Sequence, residues 1–275
     1  VLLQIVAEEL GLSYESVRLT EADTLTVPVE AASHASRVTY SSGNAVQKAA
    51  REAKQNLKEV AATMLEVDAD DLQVSQDRVR VRGAPQRTLS VKEVAKRAKS
   101  SFVQMTEEGP RPTTIEEKGS IMGTSSLAPP SNPSPAAAIF VEVEVDTLTG
   151  QVDVTRAVYA HDLGRLINPD AAEGQVEGGF QEAMGWTLME QLIFDDETGS
   201  CLNPDFLNYK MATAEEMPGS IESIFVESDE PTGPFGAKSL GEMPMIVPAP
   251  AIANAVHDAI GIRFRSLPIT PEKVL

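Results

Sequence analysis

Residues 236–242, Gly-Ala-Lys-Ser-Leu-Gly-Glu, place one basic and one acidic side chain four residues apart in a segment otherwise poor in charge. The apolar, proline-interrupted run 243–251 follows directly. A carboxylate in so apolar a setting is costly unless it is paired, protonated or used in chemistry. Desolvation raises the pKa of a carboxyl group and can make it a general base near neutral pH. Glu242 is therefore a candidate base, and the alternative is a solvated glutamate on a turn before a helix.

A glycine-rich segment at residues 168–185 is predicted to lie in a helix over 169–191, which starts with a proline, as helices often do. Glycine inside a helix costs about 1 kcal/mol relative to alanine, so its repeated use needs a reason. One reason is close helix packing, and the other is the close approach of a cofactor to the backbone. The glutamine amides suit a polar heterocycle. These glycines and glutamines are Gly174, Gln175, Gly178, Gln181 and Gly185.

Residues 35–45 form a third candidate site, around the start of a long helix predicted over 42–66. The N-terminus of a helix presents backbone N–H groups to which a phosphate can bind. Arg37 can also bind a phosphate, with two of its guanidinium nitrogens. The alternative is a plain N-cap formed by Ser41 or Ser42.

Several common catalytic and metal motifs are missing from the sequence. The three histidines form no His-x-x-x-His pair and there is no Cys-x-x-Cys pair, so no metal held by side chains is indicated. A single cysteine, Cys201, excludes a disulfide within the chain and an iron–sulfur cluster held by four of its own cysteines. The absence of a Rossmann fingerprint, a Walker loop and a Gly-x-Ser-x-Gly motif argues against nucleotide-binding folds and serine hydrolases.

The chain has 275 residues and a net charge of −18. This charge argues against nucleic acids and anionic membranes as partners, because both require basic surfaces. No apolar run reaches the roughly 18 residues of a membrane span, and the amphipathic start is unlike a signal peptide. Low cysteine use is compatible with the cytoplasm. A start at Val1 rather than at methionine suggests a fragment or a processed chain.

Helices and strands mix without a strict β-α-β order, which predicts an α+β fold. The predicted helices cover residues 1–11, 42–66, 90–97, 169–191 and 247–260. The predicted strands cover residues 16–20, 72–75, 78–82, 137–145, 151–159 and 221–227. Residues 107–135 are rich in proline, glycine, serine and threonine, which indicates a linker or an entrance loop for a cofactor or substrate. A boundary there gives two lobes, 1–125 and 126–275.

Four segments resemble, in the right order, the xanthine dehydrogenase/aldehyde oxidase family of molybdenum hydroxylases. Residues 236–244 resemble the family's active-site segment, and residues 168–185 resemble its glycine-rich helix beside molybdopterin. Residues 35–45 are similar to a cofactor-contacting loop, and residues 265–275 are similar to the family's C-terminus. The resemblance implies a two-lobed α+β molybdopterin-binding domain. It also implies the C-terminal part of a molybdopterin-binding subunit, as a fragment or as a split subunit of the nicotinate dehydrogenase kind.

The resemblance implies roles for particular residues. Glu242 would be the general base in an oxidative hydroxylation of an N-heterocycle or aldehyde-type carbon, with water as the oxygen source. For this role Glu242 must be neutralised or buried. Lys238, one helical turn away if the segment is helical, would contact the cofactor or moderate the charge of Glu242. The implied cofactor contacts are Ala35, Ser36, Arg37, Ser42, Gln175, Gly178, Lys238 and Gly241.

The implied cofactor is molybdenum–molybdopterin in its cytosine dinucleotide form, with the metal held by the pterin's sulfurs and by no side chain. Iron–sulfur clusters and FAD are expected on partner chains, beside the remaining molybdopterin-binding part, in a cytoplasmic dimer of heteromers. The substrate stays open among purines, nicotinate-like heterocycles, aromatic thioesters, aldehydes and carbon monoxide. Two other functions stay open: a non-catalytic structural half of a split enzyme, and a cofactor-handling binding protein.

Overall fold

The computed structural model of the protein describes residues 1–20, 23, 25, 33–100, 104–106, 109–111, 121–128 and 131–275. The chain divides into two compact units. The first consists of Val1–Ser33, Val38–Asn132 and Thr232–Phe235, and the second of His34–Arg37, Pro133–Pro231 and Gly236–Leu275. The lobe boundary predicted between residues 125 and 126 stays a prediction.

The first unit packs helices against a small antiparallel sheet. Its helices and strands are α1 (Leu2–Leu10), α2 (Val38–Leu65), β1 (Leu72–Ser75), β2 (Arg78–Val81), β3 (Ala84–Ser90), α3 (Val91–Ser100), β4 (Gln104–Thr106) and β5 (Gly109–Arg111), with 3-10 turns at Tyr14–Ser16 and Ala69–Asp71. Strands β1, β2 and β3 form one sheet, and β4 pairs with β5. The apolar stripe of α2 supplies Leu57, Val60 and Ala61 to the core of this unit.

The second unit is a three-stranded sheet with helices packed against it. Its helices and strands are β6 (Ala136–Val145), β7 (Val152–Asp162), α4 (Pro169–Leu188), β8 (Ser220–Val226), α5 (Met243–Ile246), α6 (Pro248–Ile260) and α7 (Pro271–Val274). The strand order is β6-β7-β8; β6 and β7 are antiparallel, whereas β7 and β8 are parallel. A parallel pair needs a long crossover, and α4 lies in it. Tyr159, Phe180, Val176, Ile252 and Val256 form the core of this unit.

Local signals explain the boundaries of α4 and α6. The side chain of Asn168 accepts a hydrogen bond from Ala171 N at 2.9 Å, and Pro169 occupies the first turn of α4. Helix α6 ends at Gly261, whose φ of 76° is left-handed and therefore favours glycine. Both helices were predicted from the sequence, and both are confirmed.

Most other predicted elements are also confirmed, with shifted ends. The predicted strands β1, β2, β6 and β7 form and pair as two antiparallel hairpins. The predicted helix after Ser90 is also present, and Ser90 and Glu93 form a capping box at its start, with Ser90 N donating to Glu93 Oε2 at 2.7 Å. The predicted strand at residues 16–20 is wrong, because a 3-10 turn ends there and no described strand pairs with it. Strand β3 was missed, since Pro85 interrupts its pattern. Much of the predicted entrance loop, residues 107–135, lies outside the described residues.

Candidate functional site

Glu242 lies immediately before helix α5, at the N-cap position, and its side chain is exposed. Ser36, 206 residues earlier in the chain, makes two hydrogen bonds with it. The Ser36 hydroxyl donates to Glu242 Oε2 at 3.0 Å and accepts from the Glu242 backbone N–H at 2.6 Å. The serine therefore holds both the backbone and the carboxylate of the candidate base.

The turn that carries Ser36 has an unusual backbone. Ala35 and Ser36 both adopt left-handed φ angles, 52° and 55°. Two consecutive non-glycine residues in this region are uncommon, and such conformations cluster at functional sites. Arg37 follows the turn, half-buried, and its N–H donates to His34 O at 3.4 Å. The predicted residues Ala35, Ser36 and Arg37 thus lie in one strained turn, whose serine contacts the candidate base.

Gly241 and Gln175 lie at the same place. A Cβ atom added to Gly241 would lie 3.5 Å from Ser36 Oγ and 3.6 Å from Gln175 Oε1. Gln175 is an exposed residue of α4, so helix α4, the Ser36 turn and the segment before α5 meet here. Four residues singled out in the sequence, Ser36, Gln175, Gly241 and Glu242, are therefore brought together.

The glycines of α4 fall into two groups. Gly174 and Gly178 are exposed, and a Cβ atom added to either would meet no other heavy atom within 4 Å. Gly179 is buried, and its added Cβ would lie 2.6 Å from Pro244 Cβ. Gly185 is also buried, against Glu190. Close packing explains the buried glycines, while the exposed pair leaves open space on the side of the helix that carries Gln175.

Gln181 has a structural role instead. Its Nε2 donates to Ala212 O at 2.8 Å, within the second unit. Of the two glutamines noted in the sequence, Gln175 is thus the one whose side chain lies beside the candidate base.

Lys238 forms an ion pair with Asp162, not with Glu242. Lys238 Nζ lies 2.7 Å from Asp162 Oδ2, and Ser228 donates to Asp162 Oδ1 at 2.6 Å. The hydrogen bonds from Lys238 and Ser228 lower the pKa of Asp162. Lys238 would lie one helical turn from Glu242 only if the segment were helical, and residues 237–242 form no helix. Sequence reasoning also missed Asp162, whose partner is 76 residues away.

Backbone hydrogen bonds hold the same segment against the end of β7. Lys238 N donates to Leu163 O at 2.8 Å, and Arg165 N donates to Gly236 O at 2.9 Å. Gly164 and Ala237 form an isolated β-bridge. One end of the 236–242 segment is therefore fixed by the sheet, while the other end carries the exposed Glu242.

Tyr159 supports the residues directly after Glu242 from within the core of the second unit. Its hydroxyl donates to Pro244 O at 2.5 Å, and its ring stacks on His161 at a centroid distance of 5.0 Å. Burial raises the pKa of Tyr159 and lowers the pKa of His161. His161 and Asp162, neighbours on a strand, point to opposite sides, so His161 belongs to the core. The role of Tyr159 had no signal in the sequence beyond its place on a predicted strand.

Ser42 does not lie where the sequence predicted. Helix α2 begins at Val38, so Ser41 and Ser42 lie inside the helix and neither is its N-cap. The backbone N–H of a fifth helical residue bonds within the helix and is not available to a phosphate. The helix N-terminus instead follows directly after Arg37.

No group of three or more histidine, cysteine, aspartate or glutamate side chains that could hold a metal occurs in the described residues. Within the same residues, no helix is long and apolar enough to span a membrane. A cavity of about 370 Å³ lies elsewhere in the second unit, between the β6–β7 turn and the end of α4. None of the predicted site residues lines it.

Residues 1–218 match the family model of the molybdopterin cofactor-binding domain, and the chain therefore belongs to this family. The family resemblance inferred from the four motifs is confirmed, as is the α+β fold. The match to a cofactor-binding family agrees with the convergence of Ser36, Gln175 and Glu242 beside the open side of α4.

Individual relatives match nearly the whole chain. The xanthine dehydrogenase molybdenum-binding subunit of Escherichia coli O157:H7 is 36% identical over 98% of this chain and 34% of its own length. The carbon monoxide dehydrogenase large chain of Afipia carboxidovorans is 34% identical over 93% of this chain and 30% of its own length. The structure of quinoline 2-oxidoreductase from Pseudomonas putida 86 matches with a TM-score of 0.87 and 27% identity, over 99% of this chain and 34% of that one. The chain thus spans about a third of the length of these proteins.

Proposed function

We propose that this chain is the part of a molybdenum-dependent oxidoreductase that binds molybdopterin and supplies Glu242 as the general base. The observation that carries the proposal is the cluster of Ser36, Gln175, Gly241 and Glu242 beside the open side of α4. The relatives named as a molybdenum-binding subunit and as dehydrogenases support the oxidoreductase class.

The residues of the cluster fit a molybdopterin. The space beside Gly174 and Gly178 lets a flat heterocycle approach the helix backbone, and the exposed amide of Gln175 can hydrogen-bond to it. Gly241 leaves room where a larger residue would cover the Ser36 hydroxyl. The residues assigned to the cofactor are Ala35, Ser36, Arg37, Gln175, Gly178 and Gly241. Lys238, already paired with Asp162, is assigned to holding the segment in place, and Ser42 is not assigned.

The side chains of this chain transfer protons and hold the reacting groups in position. The bound molybdenum centre would supply the two-electron oxidant that these side chains lack. Glu242 accepts the proton that leaves as oxygen adds to the substrate carbon. The Ser36 hydroxyl donates a hydrogen bond to Glu242 Oε2, so we assign the proton transfer to the other carboxylate oxygen of Glu242, Oε1. The expectation that Glu242 is buried does not hold for this chain by itself, because the side chain is exposed. Water must be excluded by the cofactor, the substrate or further polypeptide.

The finer assignments rest on the relatives. Quinoline and xanthine in the names of two relatives favour an N-heterocycle as substrate over an aldehyde. We assign water as the oxygen source. The terms subunit and large chain in the relatives' names support a multi-subunit assembly. We assign iron–sulfur and FAD partner chains, a remaining molybdopterin-binding part, a dimer of heteromers, the cytosine dinucleotide form of the cofactor and a cytoplasmic location.

The test is the molybdenum content and turnover of the protein purified under mild conditions from its native host. We expect about one molybdenum per chain. We expect Glu242→Gln to keep the molybdenum and lower kcat by about 10²–10⁴-fold on whichever of quinoline, xanthine or an aldehyde is oxidised. Glu197→Gln, the same change on an exposed turn residue, is the control and keeps full activity.

Two results would overturn the proposal. A folded, assembled protein without molybdenum would remove the cofactor assignment. Full turnover of the Glu242→Gln protein would make the chain a non-catalytic half of a split enzyme.

A further inference from the structure

One face of the β6–β7–β8 sheet points away from the core of the second unit and is largely apolar. The core-facing residues alternate with outer residues, whose apolar members are Ala136, Ala138, Phe140, Val158, Ala160, Ile224 and Val226. Asp162, paired with Lys238, lies between Ala136 and Val226 at one end of this set. We name this set the outer sheet face. Phe140 is 76% exposed, Ile224 51% and Val226 49%. A sheet with one face on the core normally presents polar residues to solvent on the other, so the composition of this face indicates a covering partner.

The cross-strand pairing makes the outer sheet face continuous. Phe140 pairs with Val158, and Ala160 lies between Ala138 and Ile224 in the next row. The phenyl ring of Phe140 therefore projects further from the sheet than the small alanine side chains beside it. An aromatic side chain of this kind is typical of the central residues of a protein interface.

A charged row borders the apolar set: Glu142 and Arg156 lie beyond Phe140 and Val158, and Glu222 lies beside Val158. Arg156 binds Glu222 at 2.6 Å and Glu142 at 3.5 Å, all three on the same outer side. One guanidinium between two carboxylates leaves the row with a net negative charge. A complementary surface is therefore apolar, with a basic side chain at the edge that meets this row.

We propose that the outer sheet face docks the polypeptide that corresponds to the remaining two thirds of the relatives' molybdenum-binding chain, through an apolar element with a basic side chain at its margin. The support is that the whole fold of this chain matches only 34% of the quinoline 2-oxidoreductase chain, so there the same fold is part of a polypeptide about three times as long. This proposal rests on the match and the surface, and it does not depend on the role of Glu242.

A second copy of this chain fits the face less well. A two-fold interface brings the same surface of both copies together. The acidic rows of two chains, each with a net charge of −18, would then approach one another and repel. The charge pattern thus favours a different, partly basic surface as the occupant.

The first test is photo-crosslinking of the assembled protein in its native host, with Phe140→p-benzoylphenylalanine. We expect the crosslinked peptide to lie outside the 275-residue sequence and to match the remaining two thirds of the relatives' molybdenum-binding chain, whether on the same or on another chain. A peptide from an iron–sulfur or FAD chain would overturn the proposal. A peptide from within these residues would replace the proposed occupant by a second copy. The absence of any crosslink would show a face open to solvent. Either result overturns the proposal.

The second test uses a matched pair of charge insertions. Phe140→Glu replaces the exposed aromatic side chain of the face with a carboxylate, while Leu148→Glu makes a comparable apolar-to-acidic change at the β6–β7 turn, where the side chain is 89% exposed. We expect Phe140→Glu to lower the yield of assembled protein about tenfold, and Leu148→Glu to leave it unchanged. Equal yields from both variants would contradict the proposal, even if both proteins fold.

Discussion

The packed side and the open side of helix α4 contain the same residue type in opposite surroundings. Gly179 and Gly185 lie against Pro244 and Glu190, so contacts within the chain explain them. Gly174 and Gly178 have free space above them, and they reduce helix stability without any contact in return. The difference supports the proposal that the open glycines leave room for a molecule that approaches the helix.

The same contrast divides residues 236–242. Lys238 is 12% exposed and paired with Asp162, whereas Glu242 is exposed and held by Ser36. Changes on the packed side should therefore reduce the stability of the fold. Changes on the open side should reduce molybdenum content or turnover and leave the fold intact.

Asp162→Ala is expected to have the largest effect on stability, because it leaves the nearly buried ammonium of Lys238 without its partner. Removing one member of a buried pair costs about 3 kcal/mol, at the lower end of the usual range since Asp162 is partly exposed. Urea denaturation measures this free energy of unfolding. Glu222→Ala breaks the exposed pair with Arg156 and should cost at most about 1 kcal/mol. Equal losses in the free energy of unfolding for the two variants would contradict the stabilising role of the partly buried Lys238–Asp162 pair.

The contribution of Asp162 should also depend on pH. Its pKa is lowered from 3.8 by the bonds from Lys238 and Ser228, so the unfolded chain binds a proton more readily. The stabilisation is therefore complete above pH 3.8 and is lost as the pH falls through the lowered pKa. Urea curves of the wild-type and Asp162→Asn proteins should converge only as the pH falls below 3.8 and through the lowered pKa. A difference that stays constant into this acid range would argue against the ion pair.

Gly179→Ala should destabilise the protein by about 1–2 kcal/mol. The new methyl group would lie 2.6 Å from Pro244 Cβ, so the segment before α6 must shift, and overpacking costs more than the gain in helix propensity. The midpoint of thermal unfolding should fall. An unchanged midpoint would show that α5 can move away freely.

Gly178→Ala, the same change one residue earlier, should instead stabilise the fold by up to about 1 kcal/mol, because the methyl group meets no atom of this chain. We expect the molybdenum content of this variant to fall, since the methyl group occupies the space assigned to the cofactor. Elemental analysis beside thermal unfolding gives both values on one sample. Full molybdenum content would mean that the open side of α4 is not the cofactor surface.

Local signals allowed much of the fold to be predicted, and long-range contacts set the limit. The alternation of β6 and β7 and the proline at the first turn of α4 gave the right elements. The bond between Ser36 and Glu242 spans 206 residues, and no local pattern encodes such a partnership. The resemblance placed both residues at the cofactor, but it did not predict that they contact one another.

Other errors have the same physical origin. The N-terminus of α2 was placed four residues too late, because its first turn lacks a polar cap signal at the observed start. Lys238 was expected near Glu242, since their spacing suits a helix. A salt bridge to the end of a distant strand determines its position instead.

The parallel pairing of β7 and β8 has a consequence for the order of folding. The two strands meet only after the long crossover between Asp162 and Ser220 has closed, and closing such a loop is slow compared with forming a helix or a hairpin. The Asp162–Ser228 and Asp162–Lys238 contacts depend on that closure. We therefore expect the segment that carries Glu242 to reach its place among the last steps, after α4 has already formed.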